Sequence, residues 1–431
     1  MSSLTGTTPA STGSTTDATT APSARTVATA APSAPTGAPT AAASGRRARR
    51  STGAAPDGGG AGVARLDANG LPLRHDLRGA SAYGAPQLDV PVRLNTNESS
   101  HPVPEPVVRA VVDAVAAVAG DLNRYPDREL TALREDLAAY LARTTGLPLS
   151  SDQLWAANGS NEVLQHLLQA FGGPGRTALG FTPAYSMHPI LAAGTGTRWV
   201  DGSRPGSEHD PFALGAGAAA AQAAEVDPDV VFLCSPNNPT GTALDLDVVT
   251  AVHDAAPSAV VIVDEAYAEY ARAGTPSAVA LLPGRRRLVV TRTMSKAFAF
   301  AGARVGYLAA DPAVTTAMRL VRLPYHLSSL TQAAARAALA HADDLLGAVE
   351  ATKAQRDRLV AGTAALGLRP VPSDANFVLV GGFDDERAAW HQLLEQGVLV
   401  REVGLPGHLR ITAGTEAETT AVLQALAALP G

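Results

Sequence analysis

The residues best suited to covalent chemistry lie in the stretch 291–307. An apolar run at 288–290 predicts a strand that leads into Ser295 and Lys296, and no charged residue follows before Arg304. A lysine in apolar surroundings is poorly solvated, which disfavours the ammonium form and frees the amine to attack a carbonyl. The hydroxyl of Ser295 and the guanidinium of Arg304 are suited to holding a phosphate nearby.

A nucleophilic lysine beside a phosphate site is what pyridoxal phosphate requires. A Ser-Lys pair is weak evidence by itself, because an ordinary lysine beside a buried helix gives the same pattern. The prediction of this coenzyme therefore depends on residues elsewhere in the chain that suit the same molecule.

A carboxylate ends a second apolar run, at Asp264 in the sequence Val-Ile-Val-Asp-Glu-Ala-Tyr that closes with Tyr267. A carboxylate at the end of a buried strand is costly unless it is paired. A pyridinium N–H would pair with Asp264 and keep the coenzyme ring protonated, and the Tyr267 hydroxyl could donate to the phenolic oxygen of the ring. The alternative is an aspartate that only caps a helix.

Three loops that follow apolar runs carry further polar groups, and ligands of open parallel sheets bind beyond the carboxyl ends of strands. Residues 158–162 open a helix whose free N–H groups suit a phosphate, unless Ser160 is only its N-cap. Tyr185 is placed to lie on a heteroaromatic ring or to pack in the core. In the proline-flanked loop 235–241, Asn238 presents an amide to a ligand or forms a plain turn.

Composition excludes several other classes of protein. The chain has 431 residues and a formal net charge of −6, which gives no basic surface for nucleic acid. A single cysteine, Cys234, excludes an internal disulfide, and no Cys/His spacing suggests a metal site. No apolar run approaches the ~18 residues of a membrane span. We therefore expect a cytoplasmic enzyme with no metal, nucleic-acid or membrane partner.

Short apolar runs alternate with helical patterns between residues 154 and 308, which is typical of a mostly parallel α/β sheet covered by helices on both faces. After Pro324 the pattern changes to a long helical stretch at 330–366 followed by shorter strands, typical of a smaller α+β domain. The predicted divisions are a disordered Ala/Ser/Thr/Pro-rich tail (1–65), an N-terminal arm with part of the small domain (66–122), the large coenzyme-binding domain (123–325) and the small C-terminal domain (326–431).

Together these motifs resemble the fold-type I pyridoxal-phosphate aminotransferases. Four further segments, at 93–98, 124–127, 185–187 and 409–412, are similar to the histidinol-phosphate aminotransferases of the actinobacterial type. The resemblance implies a seven-stranded sheet in the large domain, an obligate homodimer, and a ping-pong reaction in histidine biosynthesis. That reaction interconverts histidinol phosphate and 2-oxoglutarate with imidazole acetol phosphate and glutamate.

The resemblance also implies a role for each site residue. Lys296, Asp264 and Tyr267 form the catalytic set, in which Lys296 condenses with the coenzyme and moves the proton of the substrate α-carbon. Coenzyme contacts are implied for Asp264 at the ring nitrogen, Asn238 and Tyr267 at O3′, Tyr185 on the ring, Ser160, Asn161, Ser295 and Arg304 at the phosphate, and Tyr125 from the neighbouring subunit. Substrate contacts are implied for Tyr83, Asn97, Arg401 and Arg410.

Two positions depart from the family pattern. Ser99-Ser100 follows the glutamate where the family usually has Asn-Pro, and His188 stands where many members have tyrosine.

An aromatic-amino-acid aminotransferase and a phosphothreonine decarboxylase share the fold and are alternative functions. A regulator with a DNA-binding head is disfavoured because residues 1–65 cannot form a helix-turn-helix. Arg401 could instead pair with a surface acid.

Overall fold

The computed structural model describes residues 70–74, 77–79, 82–207 and 210–430. The tail predicted at residues 1–65 lies outside these ranges. Within them, no helix combines the length and apolar character needed to cross a bilayer.

The N-terminal arm contributes one short strand and leads into two helices. Strand β1 (Val92–Arg93) pairs in parallel with a later strand at Val398–Leu399. Helix α1 (Glu105–Ala119) begins after Pro104 and has Pro106 in its first turn, where the fixed φ of proline suits a helix. Helix α2 (Thr131–Thr145) begins two residues later than the sequence pattern predicts, because the Asp127 carboxylate accepts the Thr131 backbone N–H and holds the preceding residues in a turn.

The central sheet contains seven strands, as predicted. They are β2 (Leu154–Ala157), β3 (Thr177–Thr182), β4 (Arg198–Ser203), β5 (Val230–Cys234), β6 (Val260–Asp264), β7 (Leu288–Thr293) and β8 (Gly306–Ala310). Their order is β2-β8-β7-β6-β5-β3-β4, and only β8 runs antiparallel to its neighbours. The carboxyl ends of β5, β6 and β7 therefore meet at one edge of the sheet.

Helices cover both faces of this sheet. In β6, Val261 and Val263 pack into one hydrophobic cluster, whereas Val260 and Ile262 pack into the other, so the strand is buried on both sides. This explains why its sequence is a continuous apolar run without alternation. The covering helices after α2 are α3 (Ser160–Phe171), α4 (Met187–Thr195), α5 (Ala216–Val226), α6 (Leu246–Ala255) and α7 (Pro312–Val321).

The C-terminal part of the chain forms a four-stranded sheet with helices beside it. The strand order is β12 (Arg401–Glu402), β13 (His408–Thr412), β10 (Phe377–Gly381) and β9 (Arg369–Pro370). The predicted helical stretch at 330–366 is two helices that meet at His341. The strand predicted at 398–403 is two short strands, because the Val400 carbonyl between them accepts the Trp390 indole N–H. The elements are α8 (Ser329–Ala340), α9 (Ala342–Ala365), β9 (Arg369–Pro370), β10 (Phe377–Gly381), α10 (Glu386–Glu395), β11 (Val398–Leu399), β12 (Arg401–Glu402), β13 (His408–Thr412) and α11 (Glu416–Ala427).

Strand β11 pairs with β1 of the arm, and β12 pairs with β13 of the C-terminal sheet. The arm is thus joined to the C-terminal elements and carries residues 95–97 between them and the carboxyl edge of the central sheet. The predicted domain boundaries, after residues 122 and 325, remain predictions.

Candidate active site

A cavity lies at the carboxyl edge of the central sheet, bordered by the arm and the C-terminal sheet. The sequence predictions converge on it, since only one predicted site residue, Tyr125, is absent from its lining. The lining includes Tyr83, Asn97, Ser160, Asn161, Tyr185, Asn238, Asp264, Tyr267, Ser295, Lys296, Arg304, Arg401 and Arg410.

Lys296 follows β7 and points to the arm, where its Nζ donates to the Thr96 carbonyl at 3.0 Å. Burial lowers the pKa of this ammonium from 10.5 to about 8, and the positive charges of Arg410 and Arg304 act in the same direction. A larger fraction of the amine is therefore neutral near pH 7 to 8 than in an exposed lysine. The expectation of a poorly solvated, nucleophilic amine agrees with this environment.

Asp264 ends β6 with its side chain almost fully buried. Its Oδ1 accepts the Thr291 hydroxyl at 3.2 Å, and its Oδ2 lies 3.1 Å from Nε2 of His188. His188 is equally buried and stacks on Phe232 with ring centroids 4.6 Å apart. The carboxylate therefore contacts a hydroxyl and an imidazole ring, and it also lines the cavity.

In the sequence, His188 is notable only as a departure from the family pattern, and no function is predicted for it. Its contact with Asp264 spans 76 residues of chain, so no local motif reveals it. One local clue existed, since His188 lies three residues after Tyr185 and their rings meet edge to face at 5.4 Å.

Tyr267 lies beyond the end of β6, and its hydroxyl is surrounded by amides. It accepts one hydrogen bond from Nδ2 of Asn97 at 3.0 Å and another from Nδ2 of Asn238 at 3.4 Å. Burial raises the pKa of the Tyr267 hydroxyl to about 12, so that it keeps its proton at neutral pH. The phenol is therefore available as a hydrogen-bond donor.

An anion-binding cradle is formed where α3 begins. Gly159 precedes the helix with φ 86°, and a Cβ there would collide with the guanidinium of Arg304. Arg304 Nη1 donates to the Ser295 hydroxyl at 3.3 Å, so cation, hydroxyl and helix N-terminus meet at one point. The first-turn N–H groups of Ser160 and Asn161 have no partner within the helix. This combination suits a phosphate.

Two arginines lie side by side on neighbouring strands of the C-terminal sheet. Arg401 of β12 and Arg410 of β13 are directly paired in register, and like charges at such positions repel. Burial and then the charge of Arg401 lower the pKa of Arg410. Arg410 donates to Asn238 Oδ1 at 2.6 Å and to the Asn95 carbonyl at 2.7 Å. The arrangement gives one wall of the cavity a double positive charge.

Arg401 is less constrained than Arg410. Its guanidinium lies over the ring of Tyr83 at 5.9 Å from the centroid. Among the residues described, no carboxylate lies within 4.0 Å of it, so the alternative pairing with a surface acid is not observed. Arg401 is therefore free to bind an anionic ligand.

Tyr125 lies outside the cavity. Its side chain is 79% exposed and stacks on Tyr325, with ring centroids 4.4 Å apart. A single chain therefore does not bring Tyr125 to the phosphate cradle.

A buried ion cluster fixes the segment that follows Asp264. Arg292 of β7 donates to Glu265 at 2.8 Å and to Glu269 at 3.3 Å, and all three side chains are less than 10% exposed. Removing one member of such a cluster leaves an unpaired buried charge, which costs about 3–5 kcal/mol. The cluster holds the β6 and β7 ends, and hence Asp264 and Lys296, in a fixed relation.

Comparison with known proteins agrees with this geometry. Residues 90–426 match the family described as aminotransferase class I and II. The chain belongs to this family. The chain is 62% identical over 367 residues to the histidinol-phosphate aminotransferase of Paenarthrobacter aurescens. The match covers 85% of this chain and 96% of that protein. It is 58% identical over 362 residues to the histidinol-phosphate aminotransferase of Mycolicibacterium smegmatis, covering 84% and 94%.

Solved aminotransferases have the same fold. The histidinol-phosphate aminotransferase of Sinorhizobium meliloti in complex with pyridoxal-5'-phosphate superposes with a TM-score of 0.70 at 27% identity, covering 78% of this chain and 90% of that one. The aspartate aminotransferase of Thermus thermophilus with maleate gives a TM-score of 0.67 at 26% identity, covering 78% and 91%. The expected fold-type I architecture is confirmed.

Proposed function

We propose that this chain is a pyridoxal-phosphate-dependent aminotransferase that interconverts histidinol phosphate and 2-oxoglutarate with imidazole acetol phosphate and glutamate in histidine biosynthesis. The observation that carries the proposal is one cavity that combines a desolvated lysine, a buried carboxylate, an anion cradle and two neighbouring arginines. The names of relatives at 58–62% identity support the substrate.

The residues present fit the coenzyme. Ser295, Arg304 and the start of α3 would hold its phosphate, since they supply a cation, a hydroxyl and free N–H groups at one point. Asp264 would hold the proton of its ring nitrogen, and Tyr185 lines the wall against which its ring would lie. Lys296 supplies the amine that attaches it.

Bound there, pyridoxal phosphate supplies an electron sink for the charge that develops at the substrate α-carbon. Lys296 takes a proton from that carbon and returns one, and its lowered pKa suits both directions near neutral pH. The negative charge of Asp264 stabilises the proton on the ring nitrogen, and its effect is largest where electron density moves into the ring. Burial of these groups excludes competing water.

The two substrates differ in the anion they present, a carboxylate in glutamate and a phosphate in histidinol phosphate. Planar guanidinium groups bind both kinds of anion with paired hydrogen bonds. Arg410, already fixed by two hydrogen bonds, is suited to a carboxylate common to many amino acids. Arg401, half-buried beside Tyr83, is suited to the phosphate. This division allows one site to serve both halves of a ping-pong reaction.

Replacement of Arg401 with alanine is expected to raise the KM for histidinol phosphate far more than the KM for glutamate. Loss of a charged hydrogen bond costs about 2–3 kcal/mol, or roughly 30- to 150-fold. Steady-state kinetics with each substrate provide the measurement, and Arg369→Ala, which removes an exposed arginine of the same sheet, is the matched control. Equal increases for both substrates would show that Arg401 does not select phosphate.

A direct comparison of substrates tests the proposed function. The purified protein with pyridoxal phosphate is assayed with histidinol phosphate and with phenylalanine, each with 2-oxoglutarate. We expect a clear preference for histidinol phosphate, since an aromatic substrate calls for apolar contacts where Arg401 and Tyr83 lie. A preference for phenylalanine would favour an aromatic-amino-acid aminotransferase, and CO2 release from phosphothreonine without 2-oxoglutarate would favour a decarboxylase.

We further propose that the enzyme is a homodimer in which Tyr125 reaches the phosphate cradle of the neighbouring subunit. Its exposure and its distance from the cavity of its own chain support this arrangement. Large apolar side chains in adjacent segments are also exposed, with Leu122 at 52%, Leu320 at 83% and Leu323 at 74%. A surface of this kind is typical of a subunit interface. A cytoplasmic location remains a prediction.

A further inference from the structure

Asn97 makes more hydrogen bonds to the protein than a residue that serves only the substrate requires. It is 1% exposed and adopts φ 55°, a left-handed conformation that asparagine tolerates better than most residues. Its backbone carbonyl accepts Nδ2 of Asn376, and its side chain contacts both Tyr267 and Thr412. The arm, the central sheet and the C-terminal sheet meet at this one residue.

The hydroxyl of Thr412 fixes which way the Asn97 amide faces. Thr412 Oγ1 accepts the backbone N–H of Asn97 at 3.2 Å, and its single proton is donated to Asn97 Oδ1 at 2.9 Å. The amide oxygen is turned to Thr412, because Thr412 is 2% exposed and, among the residues described, its hydroxyl proton has no other acceptor within hydrogen-bond distance. The amide nitrogen is turned to the Tyr267 hydroxyl and donates to it at 3.0 Å.

The Asn238 amide also contacts the Tyr267 hydroxyl, and its orientation is fixed as well. Arg410 has only donors, so the atom of Asn238 that it contacts at 2.6 Å is the amide oxygen. The Asn238 nitrogen then donates to the Tyr267 hydroxyl at 3.4 Å. Among the residues described, both hydrogen bonds at this hydroxyl are donated to it, so neither uses its own proton.

We infer that Asn97 is a positioning residue that reserves the Tyr267 proton for an acceptor bound in the cavity. A hydroxyl that accepts from Asn97 and Asn238 directs its proton away from both amides, and Tyr267 lines the cavity. The inference rests on the proposed function, in which the acceptor is the phenolic oxygen of pyridoxal phosphate. The role is distinct from the substrate contact expected for Asn97 from sequence.

The replacement Asn97→Gly tests this role with little backbone strain, because glycine adopts φ 55° readily and adds no charge. The readout is the pH at which the visible absorption of the bound coenzyme titrates, measured without substrate. Donation to a phenolic oxygen favours its anionic form, so loss of an oriented donor raises this midpoint. We expect Tyr267→Phe to raise it by about one pH unit and Asn97→Gly by about half a unit or more.

A double replacement separates positioning from a general structural effect. In the Tyr267→Phe background, Asn97→Gly is expected to cause no further shift, because the proton that Asn97 orients is already absent. Asn97→Asp provides a second variant of the same shape, whose oxygen accepts the Tyr267 proton and raises the midpoint further. Its added charge is accounted for by the shift it causes in the Tyr267→Phe background.

The outcomes separate the two proposals. An unchanged midpoint in Asn97→Gly and Asn97→Asp, with a raised midpoint in Tyr267→Phe, overturns the role of Asn97 and leaves the proposed function standing. Additive shifts in the double variant overturn it as well. If the Asn97 variants leave the titration midpoint unchanged but raise the substrate KM, Asn97 serves substrate binding instead. Absence of any coenzyme absorption in the wild-type protein would instead overturn the proposed function.

Discussion

Replacing Lys296 with alanine is expected to abolish transamination and the visible absorption of the bound coenzyme. The variant loses both the amine that attaches pyridoxal phosphate and the group that moves the α-carbon proton, so the rate falls on the order of 10⁴-fold or more. The protein is saturated with pyridoxal phosphate and then dialysed exhaustively to remove unbound coenzyme. Its absorption spectrum and the rate of glutamate formation provide the measurement.

The sequence offers a well-matched control for this variant. It contains two lysines, Lys296 and Lys353. Lys353 pairs with Glu350 at 2.9 Å on α9 and does not line the cavity. Lys353→Ala is expected to retain both absorption and activity. A visible band that survives dialysis in Lys296→Ala would remove Lys296 from its proposed role.

Replacing Asp264 with asparagine is expected to lower kcat by roughly 10²–10³-fold with little change in fold. The amide keeps the size of the side chain, and its oxygen still accepts a hydrogen bond from Thr291 or His188. It has no negative charge to stabilise a proton on the coenzyme ring nitrogen, so electron flow into the ring loses its support. Steady-state kinetics of the coenzyme-saturated variant measure this loss.

The control for Asp264 is an aspartate outside the cavity. Asp254→Asn removes an exposed carboxylate at the end of α6 and is expected to leave kcat unchanged. A kcat within about threefold of wild type in Asp264→Asn, with saturating coenzyme, would mean that the carboxylate does not act on the ring.

The parts of the site that the sequence predicts well are those in which a strand and its following loop are adjacent in the chain. Asp264 ends an apolar run, and Lys296 follows one, so parallel strands must bring both to the same edge. Ser160 begins a helix directly after β2, which is likewise a local pattern. Apolar runs, together with the rule that ligands bind beyond the carboxyl ends of parallel strands, are enough to predict that these residues lie together.

The parts that the sequence does not predict depend on contacts between distant segments. The pair of His188 and Asp264 crosses between α4 and β6, and the pair of Asn97 and Thr412 spans 315 residues. No propensity or spacing rule links such positions. The pairing of Arg401 with Arg410 on neighbouring strands depends on the register of β12 and β13, which is set by the whole C-terminal sheet.

Element boundaries differ from prediction where side chains compete with the backbone. The Asp127 carboxylate delays the start of α2, and the Trp390 indole interrupts the strand predicted at 398–403. The first contact joins residues four apart in the chain and the second joins residues ten apart, and apolar periodicity describes neither of them. The pattern of apolar residues therefore predicts which elements exist better than it predicts where they end.

The central claim is that Lys296 is the amine that carries the coenzyme, and chemical trapping tests it most directly. The protein saturated with pyridoxal phosphate is reduced with borohydride, digested and analysed by peptide mass spectrometry. We predict a coenzyme adduct on the peptide that contains Lys296 and none on the peptide that contains Lys353, the other lysine of the chain. An adduct on Lys353 or on the N-terminal amine, with Lys296 unmodified, would contradict the account.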